Sequence, residues 1–450
     1  MPKLPLDRRL LLLGSAAAVV VPRAAVSAVS AVPANALDAA HYGARPGAPD
    51  DQSAWLQRAI DESARSHTPL MLAPGLYRTG ALRLPAGAQI FGVRGATRLV
   101  LTHGASLLAG EGDSITLSGI TFDGARVVLP RNRGLVHLSH AKALRVVDCT
   151  IVDANGNGIV LEGCDGIVEA NTLATTADTA LFSTDGRGLT MRGNIIRGAG
   201  NGGIRVWQNE KRHDGGIVTG NTIEDIASTG GGTGENGNGV NVFRAAGVVV
   251  SNNVIRRCAF SAVRGNAASG MQVLGNQCSA IAEVALYAEF AFEGAVISGN
   301  TVDGAALGIV STNFNDGGRL AVIQGNLIRR LTPKRPQGGP DAAGVGIAVE
   351  ADAAVTGNVI EDAPAVGISV GAGKYLRDVS VSGNVVRRAD RGIEVSVGPG
   401  AGHVAITGNL IAESGHGAIV GMEWDKVASD DLVRDAARYP QLTISGNQVR

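Results

Sequence analysis

Short stretches in which apolar and polar residues alternate recur along most of the chain. One unit shows the pattern, with alternating stretches at residues 379–382, 385–387 and 392–395. Alternation with a period of two predicts β-strands, whose successive side chains point to opposite faces. Three strands in a unit of about 25 residues, without helical periodicity, predict a parallel β-helix in which successive coils stack and hydrogen-bond to one another.

A Gly-Asn pair, or a close variant of it, marks the same point of each unit. The asparagines are Asn171, Asn194, Asn221, Asn253, Asn276, Asn300, Asn326, Asn358, Asn384, Asn409 and Asn447, and Asp148 takes the asparagine place one repeat earlier. The array is either a set of polar ligands or a ladder of side-chain amides that bond from coil to coil. The regularity of the repeat favours the ladder.

Two segments depart from the repeat and predict helices near the two ends. Residues 54–64 carry an apolar stripe at helical spacing, with Asp51 or Ser53 as the N-cap. Residues 430–438 predict a short second helix with Ser429 as its N-cap. We expect this second helix, rather than another chain, to cover the last coil, because an uncovered strand edge invites pairing with other chains.

Composition narrows the class of protein. With 63 glycines and 4% aromatic residues, the chain suits short strands joined by tight turns, where glycine supplies positive φ angles. A formal net charge of +0 gives no reason to expect nucleic-acid binding, which depends on a positively charged surface. Cys149, Cys164, Cys258 and Cys278 lack the spacing of a metal site. We interpret them as small buried residues, with Cys149 to Cys164 and Cys258 to Cys278 as the disulfides to check.

The first residues predict an export signal. Arg8 and Arg9 precede an apolar stretch at 10–21, and small residues follow up to Ala36. A charged start, an apolar middle and a small-residue cleavage site are typical of a signal peptide. The paired arginines resemble the twin-arginine signal, with a general secretory signal as the alternative. We expect cleavage after Ala36, and no later apolar run is long enough to span a membrane.

Several stretches resemble a known superfamily. Tyr-Gly-Ala at 42–44, the Asp pair at 50–51 and Pro-Gly-Leu-Tyr at 74–77 are similar to the opening of pectate lyase-like β-helix proteins, and residues 119–124 resemble one of their coil signatures. The whole chain, with its paired arginines and Gly-Asn repeats, resembles the twin-arginine-translocated repetitive proteins of bacteria. The resemblance implies an all-β, single-stranded right-handed parallel β-helix, a pectate lyase-like solenoid with a short N-terminal capping helix. It implies no biochemical role.

These observations divide the chain into three parts. We expect a signal peptide at 1–36, an N-terminal cap with the first coils at 37–92, and β-helix repeats at 93–450 that include the short C-terminal helix.

Aligning the third strand of each unit places the outward residues in two columns. The first column reads Arg205, Asn241, Arg264, Tyr287, Val310, Ala348, Ser369 and Glu394, and the second reads Trp207, Phe243, Asn266, Glu289, Thr312, Glu350, Gly371 and Ser396. Large polar and aromatic residues gather between 203 and 290. Insertions fall in the same region, at 207–214, 228–238, 288–293, 312–316 and 332–344. Insertions on one face of a repeat array are typical of a binding face.

The residues of this face suit a polysaccharide. Trp207 and Tyr287 would give flat platforms for sugar rings, whereas the cations would pair with uronate carboxylates. Those cations are Arg205, Lys211, Arg212 and Arg264. The predicted substrate-binding residues are Arg205, Trp207, Asn241, Asn266, Tyr287, Asn313 and Glu350. The alternative is a solvated face with scattered polar groups.

Two enzyme chemistries remain open for this face. A lyase needs a base and a cation beside the uronate. Lys211 or Arg264 could act as the base, and Arg205 could be the cation. A glycosidase needs two carboxylates about 5–9 Å apart, which Glu289 and a neighbouring carboxylate could supply. The predicted catalytic residues are therefore Glu289, Arg264, Lys211, Glu293 and Asp316.

The sequence thus predicts an exported, periplasmic or secreted carbohydrate-active protein that acts on an acidic polysaccharide. The alternative is a non-catalytic module that binds glycan or a partner. A purely structural rod is the third hypothesis. No complete lyase or glycosidase motif is present, and His416 lies in a glycine turn without the acidic motifs of a polygalacturonase. We assign no metal and no cofactor, and we expect a monomer.

Overall fold

The computed structural model of the protein describes residues 35–232, 234–312, 318–335 and 343–450. The predicted export signal, except for its last two residues, lies outside the described residues, as do Asn313 and Asp316. The described chain winds into coils whose strands form three parallel ladders, named here faces 1, 2 and 3. This confirms the predicted all-β parallel β-helix with three strands per coil.

Face 1 is a ladder of short strands that pair in parallel along the whole described chain. Its strands are Leu37–Asp38, Leu70–Met71, Gln89–Phe91, Thr116–Ser118, Leu144–Val147, Gly166–Glu169, Thr190–Arg192, Ile217–Thr219, Val249–Ser251, Met271–Leu274, Glu293–Ser298, Arg319–Gln324, Ala351–Thr356, Arg377–Ser382, Val404–Thr407 and Leu442–Ser445.

Face 2 follows face 1 in each coil, after a tight turn. Its strands are Gly75–Thr79, Thr97–Leu101, Thr121–Asp123, Thr150–Val152, Thr172–Thr176, Ile195–Ala199, Thr222–Ile226, Val254–Cys258, Gln277–Glu289, Thr301–Thr312, Leu327–Arg329, Val359–Val370, Val385–Ser396, Leu410–Ala412 and Gln448–Val449.

Face 3 completes each coil and carries the two predicted columns. Its own strands are Leu82–Leu84, Leu108–Glu111, Gly134–Ser139, Asn157–Glu162, Thr179–Thr184, Gly202–His213, Asn238–Ala246, Val263–Asn266, Val345–Val349, Ile419–Glu423 and Lys426–Ser429. Four face 2 strands continue through the corner into face 3: Gln277–Glu289, Thr301–Thr312, Val359–Val370 and Val385–Ser396. Only the last pair, Ile419–Glu423 with Lys426–Ser429, is antiparallel among the described strands.

Alternation along the strands fills the interior. In Asn238–Ala246, Val240 and Val242 are fully buried, and Phe243 is half-buried on the outer side. Val240 stacks on Ile204 and Val263 of the neighbouring coils. Burying one such side chain stabilises the fold by about 1.5–3 kcal/mol. The core is therefore a set of apolar rows, and the outward residues of face 3 are free to vary.

The asparagine array is a ladder at the turn between faces 1 and 2. Asn194 shows the unit: its Nδ2 donates to Val168 O and to Asn221 Oδ1, both at 3.0 Å. The Oδ1 of Asn194 in turn accepts from Asn171. The same bonds repeat as far as Asn447. The amides satisfy buried backbone groups of adjacent coils, which confirms the ladder over the ligand array.

The prediction that Asp148 takes the asparagine place is wrong by one residue. Asp148 has a φ of 58°, which matches the 63° of Gly193 at the glycine place. Cys149 follows at the asparagine place, and its backbone N–H donates to Asn171 Oδ1 at 2.9 Å. A thiol cannot bond to two neighbouring coils as an amide does, so the amide ladder starts at Asn171.

The N-terminal cap contains the predicted helix. The α-helix Ser53–Ser66 buries Leu56 and Ile60, and a short 3₁₀ helix, Ala39–Tyr42, precedes it. Gln52 is the N-cap residue of the α-helix, whereas Asp51 accepts a hydrogen bond from the Ser53 backbone N–H at 2.8 Å. The Asp51 carboxylate therefore satisfies one of the free N–H groups at the helix start.

The C-terminal helix is shorter than predicted. The α-helix Leu432–Asp435 continues as the 3₁₀ helix Ala436–Arg438, and another 3₁₀ helix is Gly373–Tyr375. Ser429 is not the N-cap, because the Asp431 carboxylate accepts from the first N–H groups of the helix. Leu432 is fully buried in the core, but Leu442–Ser445 and Gln448–Val449 continue faces 1 and 2 after the helix.

The four cysteines are free and buried, as the sequence predicted. Burial raises the pKa of Cys149 and of Cys278 to about 12 and that of Cys164 to about 11. Thiols held in this protonated form react slowly with oxidants and metals.

Candidate functional site

The register of face 3 places the predicted outward residues in two columns. The first column runs through Phe182, Arg205, Asn241, Arg264, Tyr287 and Val310, and the second through Thr184, Trp207, Phe243, Asn266, Glu289 and Thr312. The columns therefore exist as the alternation predicted. The role of their residues in binding stays a prediction. That role depends on which side chains face solvent without a bonding partner in the protein.

A buried ionic group occupies the middle of the columns. This Arg264 cluster consists of Arg264, Glu283, Glu289 and Arg335. Arg264 Nε donates to Glu289 Oε2 at 2.8 Å, and its Nη2 donates to Glu289 Oε1. Glu283 lies 3.8 Å from Arg264 Nη1 and 3.6 Å from Arg335 Nη1. The side chains of Arg264 and Glu289 are only 9% and 7% exposed, so the charges balance one another inside the protein.

Neighbouring column residues complete the Arg264 cluster. Asn266 Nδ2 donates to Glu289 Oε2 at 3.0 Å, and Arg264 Cζ lies 5.0 Å from the ring centre of Tyr287. Tyr287 Oη is 3.3 Å from Thr312 Oγ1, and burial raises the pKa of Tyr287 to about 12. This geometry supports a structural role for Arg264 and Glu289. Their catalytic roles stay predictions.

The other predicted cations are also engaged with the protein. Exposed Lys211 donates to the backbone oxygen of Ala291. Arg212 Nη2 lies 2.8 Å from Asp185 Oδ1 and its Nε donates to Gln208. These contacts brace the insertion at 207–214, so neither cation is presented alone to a ligand.

Two further predicted residues that the structure describes are Glu293 and Glu350. Glu293 begins the face 1 strand Glu293–Ser298, where it is exposed and lies 3.8 Å from Arg319. The parallel pairing of face 3 in this coil ends at Val349, one residue before Glu350. Asn313 and Asp316 lie outside the described residues. The structure therefore does not bring Glu293 beside Glu289 as a pair of glycosidase carboxylates on face 3.

The upstream end of the columns is tied to the glycine-rich insertion at 228–238. Arg205 Nη2 donates to Asn236 Oδ1 at 2.7 Å and to Glu235 O at 3.2 Å. Trp207 Nε1 donates to Asn241 Oδ1 at 2.7 Å, and Asn241 Nδ2 donates to a backbone oxygen of the insertion at 2.8 Å. The insertion is thus anchored to two residues of the first column, and Asn241 links it to Trp207 of the second. Burial lowers the pKa of Arg205, and the Asp178 carboxylate opposes that shift.

An open groove of about 570 Å³ lies beside this network. We name it the aromatic groove, after Phe182 and Trp207 on its floor, whose ring centres lie 5.2 Å apart at 77°. Its walls come from the turns that lead into face 3 and from neighbouring outward residues: Arg131, Asn132, Glu162, Asp178, Asn201, Asn209, Glu235 and Asn236. The groove combines half-buried rings with carboxylates, amides and one exposed arginine.

Sequence reasoning missed the upstream half of the aromatic groove. Phe182 pairs with Arg205, Thr184 with Trp207, and Glu162 with Thr184, so the same two columns continue upstream. Extending the period-two alignment by two coils would have identified these outward residues. The turn residues Arg131 and Asp178 carry no such signal, because their approach to the groove depends on the fold of each turn.

No group of three or more His, Cys, Asp or Glu side chains in the described ranges is arranged to hold a metal ion. Among the same residues, no helix is long and apolar enough to cross a bilayer.

The chain is similar to several solved structures. The chain aligns with the pre-mature gene product 12 of bacteriophage phi29 at a TM-score of 0.51 and 13% identity, covering 92% of this chain and 56% of that one. It aligns with the catalytic unit of a GH87 α-1,3-glucanase from Streptomyces thermodiastaticus at a TM-score of 0.47 and 15% identity. That alignment covers 94% of this chain and 70% of the glucanase chain. The surface adhesin PfbA of Streptococcus pneumoniae aligns at a TM-score of 0.41 and 13% identity, and the alignment covers 92% of this chain and 91% of the adhesin chain.

A comparison with curated proteins finds no match to the chain. A family model described as right handed beta helix region matches residues 100–214 and 212–386, which is more than half of the sequence. The family model and the three parallel ladders of the structure agree, and the protein belongs to this right-handed β-helix family.

Proposed function

We propose that the protein is a carbohydrate-active β-helix protein that binds a polysaccharide chain in the aromatic groove of face 3. The observation that carries this proposal is the pair of half-buried rings, Phe182 and Trp207, on the floor of an open groove with polar walls. Binding sites for organic ligands combine apolar and aromatic surface with a few placed polar groups. A groove that follows stacked coils suits a linear polymer better than a compact ligand.

The rings are held in fixed orientations. Trp207 contacts Phe182 on one side and Phe243 on the other, with ring centres 5.2 Å and 5.6 Å apart. The bond from Trp207 Nε1 to Asn241 fixes the rotation of the indole. A surface already ordered before binding loses little conformational entropy when a sugar ring packs on it. The groove is therefore preorganised for an apolar sugar face.

The walls supply partners for hydroxyl groups. The side chain of Glu162 is 42% exposed and that of Asp178 is 35% exposed, and both line the groove. Carboxylate oxygens accept hydrogen bonds strongly from ligand O–H groups. The same carboxylates make the groove the place on face 3 where acid–base chemistry on a bound glycan can be tested.

The first experiment compares two tryptophans. Trp207→Ala is expected to weaken retention on a bound polysaccharide by roughly tenfold or more, since a buried aromatic contact commonly dominates an interface. Trp424→Ala is the matched control, because Trp424 is 58% exposed on the C-terminal hairpin, away from the groove. Affinity electrophoresis in gels that contain acidic or neutral polysaccharides measures both variants.

Trp207→Phe separates binding from folding. It keeps an aromatic ring on the floor, so it should recover part of the retention, and urea unfolding should show all variants folded. Equal losses for the Trp207 and Trp424 variants would remove the groove from the proposal.

The same polysaccharide panel distinguishes the chemistries. New ultraviolet absorbance from unsaturated uronates indicates a lyase, and new reducing ends without it indicate a glycosidase. Retention with neither signal indicates the alternative, a non-catalytic glycan-binding module.

Export is part of the proposal, since the substrate is an extracellular polymer. It rests on the predicted signal at 1–36, whose paired arginines, Arg8 and Arg9, can be replaced by lysines. Cleavage after Ala36 predicts a mature protein that starts at Leu37, and N-terminal sequencing of the exported protein checks it.

A further inference from the structure

The turn that leads into the face 3 strand Gly134–Ser139 presents two arginines that have no acidic partner in the described part of the chain. Arg131 is exposed and Arg133 is half-buried, and neither guanidinium group makes an ion pair or a hydrogen bond with any described residue. Many other arginines of the coils pair across one rung, as Arg192 does with Glu169 at 2.9 Å. The two guanidinium groups therefore keep their bonding capacity for a ligand.

A buried histidine lies beside this turn. His137 is 2% exposed, and neither ring nitrogen has a hydrogen-bond partner among the described residues. Its Nε2 lies 3.4 Å from Glu162 Oε1, but without hydrogen-bond geometry. A buried polar group with no partner destabilises a fold, and native structures rarely keep one without a reason. A ligand group that enters beside the ring would supply the missing partner.

The histidine joins two grooves of face 3. A second open groove, of about 530 Å³, is lined by Arg133, His137 and Ser139. His137 pairs in register with Val160, and Ser139 with Glu162, and both of these partners line the aromatic groove. The two grooves are thus one rung apart on the same face, with Arg131 at one and Arg133 at the other.

We infer that Arg131, Arg133 and His137 form a carboxylate subsite, and that the polysaccharide bound on face 3 contains uronic acid residues. This inference rests on the proposed function and names its substrate class. Guanidinium groups bind carboxylates through paired, charge-assisted hydrogen bonds. Two guanidinium groups at adjoining grooves would bind carboxylates on nearby sugars of one polymer, and the imidazole would bond to an oxygen of the sugar between them.

The charge state of the histidine suits this arrangement. Burial, and after it the Arg133 guanidinium, lower the pKa of His137 below 6.5, whereas Glu162 opposes the shift. The ring is therefore neutral at neutral pH, with one nitrogen as donor and the other as acceptor. The ring can thus bond to a hydroxyl or a carboxylate oxygen, while the arginines carry the positive charge.

The arginines that the sequence first suggested are already engaged within the protein. Arg205, Arg212 and Arg264 all bond to groups of the protein itself. The uronate partners are instead two turn residues that no column contains.

The test compares acidic polymers with neutral ones. Affinity electrophoresis of the full mature chain uses polygalacturonate, alginate, methyl-esterified polygalacturonate, dextran and dextran sulfate. We expect at least one polyuronate to be retained about tenfold more strongly than the esterified polymer, because each guanidinium–carboxylate bond contributes strongly. Added salt should weaken that preference.

Two variants locate the subsite. Arg131→Gln with Arg133→Gln should abolish the preference for the polyuronate and leave weak retention on the esterified polymer. His137→Gln should weaken retention of the polyuronate about tenfold. Arg145→Gln is the matched control: Arg145 is exposed on face 1, and no side-chain partner is described for it. It should behave as the native protein does.

The outcomes separate this inference from the proposed function. Retention of neutral or esterified polymers that depends on Trp207, with no preference for polyuronates, overturns the carboxylate subsite alone. Retention of dextran sulfate with none of either polyuronate also overturns it, in favour of a sulfate site. An unchanged preference in the double arginine variant places the carboxylate elsewhere and overturns the assignment. Retention of no polymer overturns both proposals.

Discussion

The Arg264 cluster and the aromatic groove lie on the same face and are built from the same residue types. In the cluster, Arg264 bonds both oxygens of Glu289, and the two side chains are only 9% and 7% exposed. In the groove and the turn beside it, Glu162 is 42% exposed, and Arg131 and Arg133 have no acidic partner among the described residues. One region has its charges neutralised within the protein, and the other presents them to solvent.

The difference shows what a column of outward residues means in a β-helix. Adjacent coils are about 4.8 Å apart, so opposite charges on neighbouring rungs meet and form ion pairs. A concentration of arginines and carboxylates on one face therefore indicates cross-coil bonding as readily as it indicates a site. A buried polar group without a partner is the more informative feature, because native structures rarely keep one without a reason.

The largest expected effect tests the cluster as a structural element. Glu289→Ala should lower the free energy of unfolding by about 3–5 kcal/mol, because it leaves the buried Arg264 guanidinium without its main partner. Glu293 is exposed and lies four residues further along the chain. Glu293→Ala should therefore change the free energy of unfolding by less than about 0.5 kcal/mol. Urea unfolding followed by circular dichroism measures both.

The double variant Arg264→Met with Glu289→Leu sharpens that test. It removes both charges of the pair, so it should lose less stability than Glu289→Ala alone. A single variant as stable as the native protein would show that the cluster does not hold the fold, and would return Glu289 to the list of site candidates.

A smaller effect of opposite sign is expected in the groove region. His137→Leu removes two unpartnered ring nitrogens from a buried place and should raise the free energy of unfolding by about 1 kcal/mol at neutral pH. Because the folded pKa of His137 lies below 6.5, the unfolded chain binds a proton more readily, and native stability falls as pH drops through 6.5. The leucine variant lacks this loss, so its advantage should grow at about pH 5. Urea midpoints at the two pH values give the comparison, and a constant difference would contradict it.

The smallest effect concerns the two turn arginines. Arg131→Gln with Arg133→Gln should change the free energy of unfolding by less than about 0.5 kcal/mol, because neither guanidinium bonds to another described side chain. Thermal unfolding without ligand measures this. A loss as large as that of Glu289→Ala would mean that these arginines support the fold and would remove the contrast between the two regions.

The sequence by itself determined the framework of this protein. Its period-two alternation predicted three strands per coil, the Gly-Asn repeat predicted the asparagine ladder, and the spacing placed Arg205, Arg264 and Tyr287 in one column. It also predicted four buried, unpaired cysteines. These features follow from repetition, because a fixed coil length sets the register and one register sets which side chains point outward. The offset at Asp148 arose where a residue other than glycine adopts a positive φ, which composition does not reveal.

Only the tertiary structure decided which charges are satisfied. Arg264 and Glu289 are 25 residues apart, and their bond depends on rotamers and on burial beneath neighbouring side chains. Arg131 and Arg133 have no ion-pair partner within the described ranges because of how one turn is folded, and His137 is buried although it occupies an outward position. Hydrophobic pattern fixes the path of the backbone, but ion pairs and grooves depend on side chains brought together across coils, and no local pattern in the chain records that proximity.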